Sequence, residues 1–194
     1  ITEILRGKGG GTMRVIAGPA RGKNLQALPG EDITRPTINR VKEAMFSSVQ
    51  FLVPGARVLD LFAGSGQLGI EALSRGAKSG LCVVRSTEAL ALVKANSKTA
   101  GVDRQSGIRQ GEAESFLANI RGPFDLALLD PPFHHDTVAD VLPLLAAKMA
   151  PGGVVLCETE REAALPEPAG ALTLVKQYNY GKIKVSRHAG REEV

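Results

Sequence analysis

Two acidic residues stand 70 positions apart, each closing an apolar run and each opening a short segment suited to holding a ligand. Asp60 follows Val58-Leu59 and begins Asp60-Leu61-Phe62-Ala63-Gly64-Ser65-Gly66; Asp130 follows the run Phe124 to Leu129 and begins Asp130-Pro131-Pro132-Phe133. In the first segment Gly64 and Gly66 allow a sharp turn and a close backbone approach that a side chain would block. A helix starting near Gln67 turns its unpaired N–H groups and positive dipole end toward the same place, favouring a carboxylate. The Asp60 carboxylate can accept from an ammonium. In the second segment two prolines fix φ at successive residues and remove two donors, leaving carbonyls to accept. An exocyclic amine carries two N–H groups, which the Asp130 carboxylate and the Pro131 carbonyl can receive together. Such a grip aims the nitrogen at an electrophile and stabilises positive charge developing on it. Phe133 offers a face for stacking a base taken out of its helix. A zwitterionic nucleoside cofactor beside a clamped base amine implies methyl transfer from S-adenosylmethionine. The spacing Asp-x-x-x-Gly-x-Gly differs from the dinucleotide fingerprint, and Gly69 falls inside the helical pattern rather than in a pyrophosphate turn.

The elements that must position these segments alternate. Strands are expected at 57–61, 80–84, 106–109, 124–129 and 153–158, with helices at about 66–75, 87–100, 112–119 and 136–149 between them. This order implies a doubly wound parallel sheet with right-handed crossovers, in which both segments face one crevice at the carboxyl ends of the strands. Ala171 to Gln177 and Lys182 to Ser186 read as a closing antiparallel pair. Ahead of the sheet, Met13 to Gly18 and Lys23 to Leu28 flank Pro19-Ala20-Arg21-Gly22, a hairpin pattern with a basic tip. Arg35-Pro36-Thr37 then opens a helix, with Thr37 as the expected N-cap and Val41, Ala44, Met45, Val49 and Leu52 at helical spacing before Pro54-Gly55. The expected organisation is a foreign or linker-like segment over 1–12, a basic arm and helix over 13–53, and the α/β body over 54–190. Met13 reads as the natural start.

Bulk properties agree with that scheme. A chain of 194 residues is one domain by length, and 24 basic against 20 acidic side chains give a mildly basic protein suited to a polyanionic partner. Arg14, Arg21, Lys23, Arg35, Arg40 and Lys42 crowd the arm, opposed there only by Glu31, Asp32 and Glu43. Phosphate contacts position a nucleic acid while a pocket selects the base, so Arg14, Arg21, Lys23, Arg35 and Arg40 are the expected RNA-docking residues. Cys82 and Cys157 lie in apolar strands without metal spacing and read as buried free thiols of a reducing compartment. No apolar run reaches membrane-spanning length and no signal peptide is evident, so a cytoplasmic location is expected. No metal-ligand set stands out. A monomer is expected.

From Met13 to Ser186 the chain resembles the bacterial 16S ribosomal RNA guanine-N2 methyltransferases of the small-subunit type. The resemblance rests on Met13-Arg14-Val15-Ile16-Ala17-Gly18, on Arg35-Pro36-Thr37-Ile38-Asn39-Arg40-Val41-Lys42-Glu43, on Asp60 through Ala77, and on Asp130-Pro131-Pro132-Phe133; the Arg-Pro-Thr segment discriminates most. It implies a seven-stranded Rossmann-like sheet with an N-terminal basic β-hairpin and helix. It also implies S-adenosylmethionine as donor, 16S rRNA or the small ribosomal subunit as partner, and Asp130 to Phe133 around a guanine amine. Asp60, Phe62, Ala63, Gly64, Ser65 and Gly66 would hold the cofactor, with Glu112 and Ala113 at its adenine end. The chain departs from the family at Arg85, where the second strand is expected to end in an acid that accepts from the ribose hydroxyls; a guanidinium only donates. Glu88 follows three residues later. Two other readings stand beside this one: an adenine-N6 methyltransferase, because the same loop suits that amine, and a ribosome-assembly protein that keeps the fold with weakened catalysis.

Overall fold

The computed structural model describes residues 13–29, 36–132 and 137–190. The arm opens with two short strands, β1 (Met13–Arg14) and β2 (Asn24–Leu25), paired antiparallel with Met13 opposite Leu25. Helix α1 (Pro36–Ser48) follows; it starts at the proline, so Thr37 lies inside its first turn rather than capping it. Proline suits a first helical position because its missing N–H would be unpaired there anyway.

The body alternates as the sequence pattern requires: β3 (Arg57–Asp60), α2 (Gln67–Ser74), β4 (Ser79–Val84), α3 (Thr87–Thr99), β5 (Ser106–Gln110) and α4 (Ala113–Asn119). Next come β6 (Phe124–Leu129), α5 (Thr137–Ala146), β7 (Met149–Glu160), β8 (Leu172–Tyr180) and β9 (Ile183–Gly190). Helix α5 ends three residues earlier than its periodicity suggested, because Met149 already pairs with Phe124 in the sheet. The seven strands lie in the order β5-β4-β3-β6-β7-β9-β8, parallel from β5 to β7, with β9 antiparallel to both β7 and β8. Successive units step outward from β3 through β4 to β5, and the chain then returns to the other side of β3 as β6. The carboxyl ends of β3 and β6 therefore flank the switch in winding direction, the place where open α/β sheets bind ligands.

Alternation along the central strands builds the two faces. Val58, Leu126, Leu128, Val154 and Leu156 point into one core with α1, α2 and the arm; Leu59, Ala127, Leu129, Val155 and Cys157 point into the other with α4 and α5. Met13, Val15, Ala20 and Leu25 of the arm belong to the first core, so arm and body share one interior. Far from the crevice, Asp125 of β6 accepts from the Arg57 backbone N–H at 2.8 Å and from Nε and Nη2 of its guanidinium at 3.1 Å each, which holds the Asp125 carboxyl below its ordinary range. Among the described residues no helix is long and apolar enough to cross a membrane.

Candidate active site

At the end of β3, Asp60 is buried, and its Oδ2 accepts the backbone N–H of Gly69 at 3.0 Å. The strand-end carboxylate thereby serves the first turn of α2, where N–H groups lack helical partners. The contact depends on Gly69. A Cβ there would sit 2.8 Å from Cys82 Sγ and 3.4 Å from Asp60 Oδ2. Sequence spacing gave Gly69 no role; its work is the close approach of α2 to β4. Gly64 and Gly66 turn with φ of 53° and 83°, the left-handed region that favours glycine, and Gly66 is the residue before α2. A Cβ at Gly66 would also come within 2.9 Å of Val93 on α3.

Two strands lie side by side at the other half of the site. Leu129 of β6 pairs with Cys157 of β7, so the next residues, Asp130 and Glu158, stand level. Strand parity turns both toward the face that also receives Asp60. Pro131 is buried and Pro132 exposed; Phe133, with His134 and His135, lies outside the described residues. Burial and the neighbouring Asp130 push the Glu158 carboxyl well above its ordinary range. Nothing in the sequence pattern marked Glu158: it closes an apolar strand like many partly buried carboxylates, and only the parallel register brings it to Asp130.

At the ends of β4 and β5, Arg85 Nε donates to Glu112 Oε1 at 3.2 Å, with both side chains about two-thirds exposed. Glu112, expected at the adenine end, thus lines the same rim as Arg85. Ser86 caps α3 by accepting the Ala89 N–H at 3.0 Å, while Glu88 sits in the first helical turn and does not line the crevice.

The arm is locked onto this body by buried polar contacts. Glu71 of α2, fully buried, accepts the Ile16 N–H at 3.1 and 3.0 Å and also binds the Arg75 guanidinium, which lies 4.9 Å from the Phe46 ring. Ser74 Oγ donates to Ala17 O at 2.6 Å and accepts from Ala20 N at 3.1 Å. Asn96 of α3 accepts from Gln26 N at 3.0 Å and donates to both Gln26 O and Ser65 O at 2.9 Å, fastening the arm and the glycine-rich turn to one amide. Lys42, one of the basic residues that crowd the arm though not of the expected docking set, is 2% exposed; its Nζ donates to Arg14 O at 2.8 Å, and burial lowers its pKa against the opposing pull of Glu71. Arg14, Arg21, Lys23 and Arg40 are exposed, whereas Arg35 lies outside the described residues. His188 is buried in β9, and burial lowers its pKa.

These parts enclose one crevice of about 1020 Å³, at the upper end of small-molecule sites. Asp60, Phe62, Ala63, Gly64, Ser65, Glu112, Ala113, Asp130, Pro131 and Pro132 all line it, as do Arg85, Glu158 and Ile183, with Met13, Leu28, Pro29 and Lys42 from the arm. Gly66 stands just behind, at the start of α2. A buried acceptor at Asp60, a glycine turn that a Cβ would obstruct, and a donor–acceptor pair at the rim suit a nucleoside bearing ammonium, carboxylate and ribose hydroxyls. Such a cofactor fits the residues present.

The strand order, with a glycine-rich turn after β3 and an acid-Pro-Pro loop after β6 on one crevice, defines the class of S-adenosylmethionine-dependent Rossmann-like methyltransferases. Relatives agree. The ribosomal RNA small subunit methyltransferase D of Haemophilus influenzae is 34% identical over 176 residues, covering 88% of this chain and 90% of that protein. Its Escherichia coli counterpart is 30% identical over 177 residues, covering 90% and 88% respectively. A solved Escherichia coli structure superposes with a TM-score of 0.81 at 29% identity, covering 94% of this chain and 100% of that one. Residues 13–188 match the family model described as Conserved hypothetical protein 95, and the chain belongs to that family, which includes the small-subunit rRNA methyltransferases D. The protein is accordingly an enzyme, an S-adenosylmethionine-dependent methyltransferase.

Proposed function

We propose that the protein methylates the exocyclic N2 amine of a guanine in 16S ribosomal RNA. The observation that carries this reading is the placement of Asp130 and Pro131 beside Asp60 and the glycine-rich turn in one crevice. S-adenosylmethionine supplies an electrophilic methyl group when bound. Asp60 would accept from its ammonium, the first turn of α2 would face its carboxylate, and Glu112, steadied by Arg85, would accept from the nucleoside end. The Asp130 carboxylate and Pro131 carbonyl accept the two N–H bonds of the amine and align its lone pair with the methyl. On transfer the nitrogen would take the methyl as the donor's sulfur–carbon bond breaks and its sulfur leaves as a neutral thioether, and both acceptors would stabilise the positive charge growing on nitrogen. The nitrogen then sheds one proton, and Asp130 is the nearest proposed acceptor. Pro132 stiffens the loop, and Phe133 is assigned to stacking. Arg14, Arg21, Lys23, Arg35 and Arg40 hold RNA phosphates, the bound RNA spanning the exposed side of the arm. The working unit is taken as a cytoplasmic monomer, with residues 13–53 as the docking arm and 54–190 as the catalytic body.

The test is mass spectrometry of nucleosides from small-subunit RNA incubated with the protein and labelled cofactor. N2-methylguanosine is expected. N6-methyladenosine would move the target to the adenine amine. Asp130→Ala should lower turnover a hundredfold or more, on the scale of losing a transition-state acceptor, with the fold retained; wild-type turnover would remove the loop from the chemistry.

A further inference from the structure

We propose that Glu158 determines the base specificity of this crevice by reading the lactam edge of guanine, the N1–H and O6 that adjoin the N2 amine. The inference rests on the guanine reading above and extends it to a residue outside the acid-Pro-Pro segment.

Position comes first. Glu158 and Asp130 occupy level positions on neighbouring parallel strands, just past the Leu129–Cys157 pair, and both line the crevice. Parallel neighbours stand roughly 4.8 Å apart, while adjacent groups along a purine edge are separated by about half that. A base whose amine rests on Asp130 and the Pro131 carbonyl therefore brings its next edge groups within reach of Glu158.

Chemistry selects among bases. Two carboxyls at one site do not both ionise readily, so one is held neutral. Glu158 is that one: burial and the Asp130 charge both favour its protonated form. A neutral carboxyl offers one acceptor and one O–H donor. Guanine presents N1–H and O6 in the complementary order, so both are satisfied. Adenine with its N6 amine in the same grip presents unprotonated N1 and then C2–H. The carboxyl can donate to N1, but its acceptor oxygen then faces carbon and is left unpaired in a partly buried site. Loss of such a bond costs about ten- to a hundredfold in affinity.

The test pairs three proteins with two substrates. Wild type, Glu158→Gln and Glu158→Leu are assayed on small-subunit RNA, free or reconstituted into subunits, whichever the wild type methylates. The mapped target is either guanosine or 2-aminopurine riboside, which keeps the 2-amine but lacks N1–H and O6. Wild type should prefer guanosine in kcat/KM by about ten- to a hundredfold. Glu158→Gln, whose amide keeps one acceptor and one donor, should retain that preference. Glu158→Leu should lose guanosine activity to the level seen with 2-aminopurine and discriminate no further. Equal preference in Glu158→Leu and wild type would overturn the proposal, as would Glu158→Gln behaving like Glu158→Leu, which would show that a charged carboxylate is required. If the wild type leaves every guanine of the RNA unmethylated, the guanine-N2 reading itself fails, a result distinct from either of these.

Discussion

Gly69→Ala tests whether the cofactor end of the site depends on how closely α2 approaches β4. The added Cβ would lie 2.8 Å from Cys82 Sγ, about 0.6 Å inside the shortest ordinary contact of 3.4 Å, and beside Asp60 Oδ2 as well. Cys82 is itself buried beneath the helix, so neither partner can swing into solvent. Two opposing effects follow. Alanine in place of glycine favours the helix by about 1 kcal/mol. Overpacking a filled interior costs about 1–3 kcal/mol. The net expectation is a loss of about 0–2 kcal/mol, with α2 pushed outward and the Gly69 N–H drawn away from Asp60.

The double variant Gly69→Ala with Cys82→Ala separates these effects, because removing the sulfur makes room for the methyl. Urea unfolding of the wild type, both single variants and the double variant should give a favourable coupling of about 1–3 kcal/mol, the overpacking penalty recovered. Calorimetry should follow the same pattern: S-adenosylmethionine binding weakened in Gly69→Ala and regained when Cys82 is truncated. Single effects that add within about 0.5 kcal/mol would refute the steric account. So would a Gly69→Ala protein stabilised by the full helix-propensity gain with unchanged cofactor binding.

Arg85→Glu should weaken S-adenosylmethionine binding measured by calorimetry, because it sets a second carboxylate against Glu112 instead of the guanidinium that now steadies it at 3.2 Å; tighter binding would mean that Glu112 does not serve the nucleoside end. Arg21→Ala combined with Lys23→Ala should flatten the salt dependence of RNA binding by up to about two units of slope while leaving cofactor affinity alone, and an unaltered slope would make the arm a cover only. Glu158 has a folded-state pKa raised above its ordinary 4.5, so the native state binds more protons than the unfolded chain above that pH, and stability is full below it and falls as pH rises through the folded value. Glu158→Gln should therefore melt higher than wild type at pH 8, the gap closing toward pH 4.5; a constant gap would show that the carboxyl is not held neutral by folding.

Why some of this was legible in the sequence and some was not follows from the range of the forces involved. Asp60 with its glycines and Asp130 with its prolines declare themselves, since a turn, a fixed φ and a missing donor are properties of adjacent residues. The sheet was legible for a related reason: Val58-Leu59 and Leu126 to Leu129 are apolar on both faces, which suits a covered parallel strand. Gly69, Glu71, Asn96 and Glu158 were silent because each acts on a residue far along the chain. Glu71 reads as an ordinary helix carboxylate until Ile16, 55 positions earlier, brings its N–H to it. Lys42 misled in the opposite direction, counted with its basic neighbours although α1 turns it inward to the Arg14 carbonyl. Arg85 reads in the sequence only as a missing acid, because its partner Glu112 lies 27 positions further on. Strand β5 runs beside β4 with Glu112 two residues beyond Gln110, the partner of Val84, and this register brings its carboxylate to the Arg85 guanidinium. A guanidinium that cannot accept from a hydroxyl can still hold a carboxylate that can.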